Sequence, residues 1–179
     1  MTSPTAAPSR ISGRDKDTAP LCLDTFIPYR LSVLSNQISR SVAALYAERF
    51  GLTIPEWRVM AVLGLEETQR ESVCANTVAE RTEMDKVQVS RAIARMTQAE
   101  LVTRTPDRAD RRRAVLALTV KGRAVYREIV PAALEYEAAL LGTLSASERT
   151  ALDHLIAKLS RAARDLGPAR QTSREEGDS

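Results

Sequence analysis

The sequence predicts a mainly α-helical chain interrupted by one two-stranded β-hairpin, and three observations predict it. Apolar residues recur every three or four positions through most of the chain, which is the period of one helix face. Three capping boxes, Thr53-Ile54-Pro55-Glu56, Asp85-Lys86-Val87-Gln88 and Ser145-Ala146-Ser147-Glu148, mark helix starts. The runs LVTRTP and RAVLALT are short, apolar or β-branched, and flank the charged, turn-prone segment PDRADRRR, the pattern of a hairpin.

The elements follow in order. Residues 1–20 are rich in Thr, Ser, Pro, Ala and charge and read as a disordered arm, because they bury too little surface to offset ordering entropy. Ile27, Leu31, Leu34, Ile38, Val42 and Leu45 then form one helical stripe, closed by Gly51 as a C-terminal cap. The segment IPEWRVMAVLGLE is apolar nearly all round, with Arg58 as its basic exception, and so predicts a buried helix. A short helix is expected over residues 76–81, with Cys74 a poor cap for it. A longer one begins at the Asp85 box and runs to about residue 100, with Val89, Ile93 and Met96 inward and Lys86, Gln88, Ser90, Arg91 and Arg95 outward. After the hairpin, Thr119 caps a helix over residues 120–141, which contains Pro131. The Ser145 box opens a last helix with Leu152, Leu155, Ile156 and Leu159 on one face. The tail, residues 167–179, reads as disordered like the arm.

Composition narrows the function. The 179 residues carry a net charge of +3 and only 4% aromatics, which argues against a carbohydrate groove or a base-stacking surface for single strands. With Cys22 and Cys74 far apart and a single histidine, His154, one chain cannot build a zinc cage of four Cys/His ligands. No metal and no cofactor are expected. There is no Gly-rich phosphate loop and no G-x-S-x-G elbow, so an enzyme is not expected. No apolar run reaches a membrane span and the N-terminus lacks the apolar core of a secretory signal, so the expected location is the cytoplasm, away from membranes.

Short helix, turn, longer helix and basic hairpin is the order of a winged helix-turn-helix, the hairpin tip being the wing. A helix fits the major groove of duplex DNA, where base edges carry a distinct donor and acceptor pattern. From residue 81 to residue 113 there are nine basic residues against five acidic ones, a balance of +4 that exceeds the +3 of the whole chain. The positive charge is therefore concentrated on the segment that would meet phosphate. The first helix has an apolar stripe too long for one small DNA-binding lobe to cover, and the last helix has a matching one. Two copies of the chain would bury both in an isologous interface.

The chain also resembles the MarR family of bacterial transcriptional regulators over residues 26–166. The stretches that carry the resemblance are FGLTIPEWRVMAVL, MDKVQVSRAIARM, LVTRTPDRADRRRAVLALTVKGRAVY and LSASERTAL. The most specific is Asp110-Arg111-Arg112-Arg113 followed by AVLALT, which is similar to the family's wing pattern of D-x-R and then L-T. The resemblance implies a homodimer on a palindromic operator and a repressor role, with a winged-helix domain over residues 21–166. Within it lie a DNA-binding lobe at about residues 53–119 and dimerisation helices at about 24–50 and 120–166. It implies that residues 86–95 enter the major groove, that Arg112 reaches the minor groove, that Arg108, Arg111 and Arg113 join it on the DNA face, and that Asp110 holds the wing in shape. The twenty-residue polar arm departs from the family pattern.

Many such regulators release DNA when a small aromatic acid binds between dimerisation helices and DNA-binding lobe, which singles out Tyr29, Arg30, Tyr46, Trp57 and Arg58 as pocket candidates. An arginine in an apolar helix is costly unless paired, so Arg58 would face the carboxylate of an anionic effector, pair with a protein acid such as Glu56, or reach solvent. IPYRLSVL and IPEWRVMAVL look like segments of regulators of aromatic-acid catabolism, which suggests an aromatic acid or its coenzyme A thioester. Two alternatives stand beside this reading. One is a cysteine-based redox sensor using Cys22, although redox-sensing relatives place their cysteine near Tyr29. The other is a helical interaction protein without DNA binding.

Overall fold

The computed structural model describes residues 20–69, 73–107 and 114–167, with the side chains of 67–69 left out. The expected arm lies outside these residues except for Pro20, as does the expected tail beyond Gly167. The element order is α1 (Ile27–Ala44), α2 (Ala47–Phe50), α3 (Ile54–Gln69), α4 (Ala75–Thr82), α5 (Lys86–Gln98), β1 (Val102–Pro106), β2 (Ala114–Leu118), α6 (Val120–Leu141) and α7 (Ala146–Leu166). This is the mainly helical winged-helix architecture that the sequence predicts. The chain divides into two compact units, residues 1–39 and 40–179.

In the first unit a turn precedes α1, where the Phe26 N–H donates to the Cys22 carbonyl at 3.1 Å. The α1 stripe stays in water there: Ile27, Leu31 and Leu34 are each about half exposed.

The second unit holds the core. α3 lies at its centre and packs against α4, α5, α6 and β2, as a helix apolar on nearly every face must. Val59, Met60 and Leu63 of α3 meet Val78 of α4, Val89, Ile93 and Met96 of α5, Leu116 and Leu118 of β2, and Ile129 of α6. β1 and β2 pair antiparallel, Val102 opposite Leu118 and Arg104 opposite Leu116. β2 is the inner strand, because Leu116 also bridges to Val73, donating to its carbonyl at 2.8 Å. β1 is the edge, with Thr103, Arg104, Thr105 and Pro106 exposed. Proline at the end of an edge strand removes no ladder bond the sheet needs.

The caps sit where the sequence puts them. Asp85 Oδ1 accepts the Gln88 N–H at 2.8 Å, Thr119 Oγ1 accepts the Gly122 N–H at 2.9 Å, and both halves of the Ser145–Glu148 box are made. One expectation needs correction. The first helix does not run unbroken to Phe50. It ends at Ala44, and a separate turn, α2, follows and is capped by Gly51 at a φ of 66°. The break comes at Tyr46, which has φ −130° and turns its ring into the core at 1% exposure. Burying that ring offsets the helical hydrogen bonds lost at the break. α5 also stops at Gln98 rather than residue 100, where Glu100 takes a φ of 57° and the Leu101 N–H donates to Met96.

The hairpin is fixed to α6 through Gly122. A Cβ at that position would lie 2.1 Å from the Leu101 carbonyl oxygen, which also accepts the Thr119 N–H at 3.0 Å. Backbone cannot yield there as a flexible side chain does. Gly122→Ala should therefore cost roughly 1–3 kcal/mol by overpacking, a fall in melting temperature of about 2–12 °C for a chain of this size. An unchanged thermal melt would show that the hairpin and α6 separate freely.

Candidate nucleic-acid interface

The interface is built on α5. Val89, Ala92, Ile93 and Met96 are buried and fix the helix's rotation about its axis. Lys86, Gln88, Ser90, Arg91 and Arg95 are all exposed. The approach from α4 is a three-residue turn whose first residue, Glu83, takes a φ of 52° and whose second, Met84, is buried. Cys74 precedes α4 and gives it no side-chain cap, as its chemistry suggests; its Sγ lies 3.4 Å from Thr77 Oγ1.

α5 stands as a ridge between two hollows. One, of about 400 Å³, is lined by Ser90, Ala94 and Thr97 of α5 with Asn76 of α4 and Arg104 of β1. The other, of about 330 Å³, is lined by Gln88, Arg91 and Arg95 with Thr53 and Pro55. Both carry basic residues on their walls. Arg108, Asp110, Arg111, Arg112 and Arg113, expected at the wing tip, lie outside the described residues.

Two buried carboxylates hold this unit together: Glu56, which the sequence reading placed in a capping box, and Glu66, which it did not single out. Glu56 is 3% exposed and Glu66 is fully buried, both on α3. Glu56 uses both oxygens: Oε2 accepts the Thr53 N–H at 2.7 Å, and Oε1 meets Arg95 Nε at 3.0 Å. Glu66 Oε1 pairs with Arg81 at 2.5 Å. One acid thus ties α5 to α3 and the other ties α4, so both helices of the helix-turn-helix are pinned to one buried element. The outward Arg95 therefore has its Nε committed inside the protein, while its side chain remains 63% exposed. The signal was present in the sequence: a helix buried all round cannot hold an acid without a partner.

The pocket candidates fall in two places. Tyr29 and Arg30 are exposed on α1 in the first unit. In the second, Tyr46 packs on Trp57 with ring centroids 5.4 Å apart, and Trp57 on Tyr126 at 6.1 Å. Glu56, the protein acid considered for Arg58, is engaged by Arg95 instead; Arg58, half-buried, acts electrostatically on Tyr46. Burial pushes the Tyr46 hydroxyl up to about 12, and the Arg58 charge partly offsets this. The folded state therefore keeps its proton where the unfolded chain, near 10, has lost it. This contribution is complete below pH 10 and lost as the pH rises through 12. Tyr46→Phe should thus remove part of the loss of stability between pH 10 and 12, measured by denaturant titration across that range. An alkaline limb identical to that of the parent would show that Tyr46 ionises freely.

Cys22 is exposed and Cys74 is buried. Hydrogen bonds from the Thr25 side chain, then from the Thr25 and Asp24 backbone, lower the Cys22 thiol below its ordinary value. Among the described residues no cluster of His, Cys, Asp and Glu could hold a metal, and no helix is long and apolar enough to cross a membrane.

Known proteins are similar to this chain in sequence and in fold. Residues 50–113 match the model of the MarR family. The transcriptional regulator HosA of Escherichia coli is 31% identical over 112 residues, 60% of this chain and 77% of HosA. The transcriptional repressor NicR of Pseudomonas putida is 32% identical over 78 residues, 44% of this chain and 49% of NicR, so the chain spans about half the length of that relative. Among solved structures, BpsR of Bordetella bronchiseptica, whose DNA binding is regulated by 6-hydroxynicotinic acid, superposes with a TM-score of 0.67 at 25% identity over 79% of this chain and 97% of BpsR. These relatives are transcriptional regulators and not enzymes. The chain belongs to the MarR family of DNA-binding winged-helix transcriptional regulators.

Proposed function

We propose that this chain is a cytoplasmic homodimeric repressor that binds a palindromic operator and leaves it when a small aromatic acid binds. The observation that carries this reading is the α5 ridge: Lys86, Gln88, Ser90 and Arg91 face outward between two hollows, one with Arg104 and the other with Arg91 and Arg95 on its wall, on a helix whose rotation is fixed by its buried face and by Glu56. In this reading α5 enters the major groove, and the wing arginines Arg108, Arg111, Arg112 and Arg113 meet phosphates and the minor groove. Asp110 holds the wing. Arg95 splits its guanidinium between Glu56 and DNA. Residues 53–119 form the DNA-binding lobe, and 24–50 and 120–166 supply the dimer surfaces. Support for the dimer comes from the apolar faces left in water on α1 and, separately, on α7. Support for an aromatic effector comes from the ligand of BpsR, and half-buried Trp57 and Arg58 on α3 are the residues proposed to meet it.

The test is operator binding across a salt series. Arg112→Ala should weaken binding strongly and lower the slope of log affinity against log salt by about one unit, since one cation near phosphate is lost. Gln88→Ala should leave the slope alone, cost roughly 1–3 kcal/mol and relax preference at one base pair. If Arg112→Ala leaves affinity and slope untouched, the wing does not enter DNA. If the parent protein shifts no duplex, a helical interaction protein is the better reading.

A further inference from the structure

An apolar side chain, Val87, stands at the pole of α5 farthest from the core. Successive residues of a helix are rotated by about 100°, so the direction opposite the buried residues Val89, Ala92, Ile93 and Met96 falls between Val87 and Gln98, with Ala94 and Arg91 next on either side. Val87 is 57% exposed and Ala94 is exposed. They are seven residues apart, two turns on the same line, with Arg91 and Ser90 to either side of it. Neither bordering hollow is lined by Val87: Ser90 and Ala94 line one, and Gln88 and Arg91 the other. A single exposed valine on a surface is unremarkable by itself. This one stands in the first turn of the helix, two residues after its Asp85 cap, and the N-terminal residues of a helix docked in the major groove contact base edges. The group on a base edge that an apolar side chain recognises is the thymine C5-methyl, the one methyl on the major-groove edges of the four bases.

We infer that Val87 reads the C5-methyl of one thymine in each operator half-site, while Gln88 and Arg91 beside it supply the hydrogen bonds. The inference rests on α5 docking in the major groove as proposed above. Ala94, two turns further along, follows the same line but has one methyl and lies nearer the end of the helix, so it contributes close approach and not discrimination.

The experiment uses the full chain and a duplex that the parent protein selects from a randomised library. Each thymine in that duplex is replaced in turn by deoxyuridine, which removes the methyl and leaves every hydrogen-bonding group in place. For the parent, one thymine per half-site should show a loss of about fourfold, the worth of one buried methyl-sized group, and about fifteenfold when both half-sites are changed. Val87→Ala should bind the thymine duplex more weakly and lose most of this sensitivity at that position alone, with the salt slope unchanged because no charge is altered. Val87→Ser, which has no methyl group, is the second variant and should lose the sensitivity at the same position. If the parent binds deoxyuridine and thymine duplexes equally, or if both variants keep the full methyl sensitivity, the inference is overturned while the operator reading stands. If no duplex is selected above non-specific binding, both fall together.

Discussion

Replacing Leu155 and Leu159 with aspartate should convert the protein to a monomer and abolish operator binding at concentrations where the parent is saturated. α7 leaves Leu152, Leu155, Ile156 and Leu159 at 36%, 52%, 53% and 50% exposure, one continuous stripe on a helix that makes no other use of it. A face of this kind marks an interaction surface. Burying a half-exposed leucine stabilises an interface by roughly half of the 1.5–3 kcal/mol that full burial is worth. In an isologous dimer each substitution counts twice, so four leucines are lost and four carboxylates gained. The dissociation constant should rise by on the order of a thousandfold or more. Operator binding should fall with it, because each half-site then loses the effective concentration supplied by its partner, worth about 10²–10⁴. Light scattering reads the association and a mobility shift reads the DNA. A dimer of unchanged stability would place the interface elsewhere. The fold of each monomer should survive, since none of these four residues belongs to the core.

The second large effect lies inside the DNA-binding unit. Arg81→Ala should destabilise the fold by roughly 3 kcal/mol. Glu66 is fully buried, and neither of its oxygens makes a hydrogen bond among the described residues, so the Arg81 guanidinium 2.5 Å from Oε1 is what compensates the charge. Removing one member of a buried pair costs about 3–5 kcal/mol, because the other is left buried and uncompensated. Arg81 is itself 45% exposed, and solvent screening puts the effect at the lower end of that range. The melting temperature should fall by about 6–12 °C. The double variant Arg81→Ala/Glu66→Leu should recover most of the loss, since no buried charge then remains. A single variant that melts like the parent would mean that Glu66 draws its compensation from another group. The Glu56–Arg95 pair should be the weaker of the two, because Arg95 is more exposed and Glu56 is already satisfied in part by the Thr53 N–H.

What the sequence by itself determined is everything set by residues a few positions apart. The starts of α5, α6 and α7 are legible in Asp85, Thr119 and Ser145, because a cap is a bond to a backbone N–H three residues on. The inward face of α5 is legible in Val89, Ile93 and Met96, because helical period alone places them together. The hairpin follows from two apolar runs around a polar turn, and the family from all of these in order. Only the tertiary structure decided which distant residue each side chain meets. Spacing cannot say that Tyr46 leaves its helix to pack on Trp57, that Glu56 turns from Arg58 to Arg95, or that Glu66 finds Arg81. These outcomes depend on how α3, α4, α5 and the hairpin close around one another. A buried ring or carboxylate takes whichever partner that packing brings within reach, and the energy of leaving it without one is large enough to bend a helix or commit an arginine.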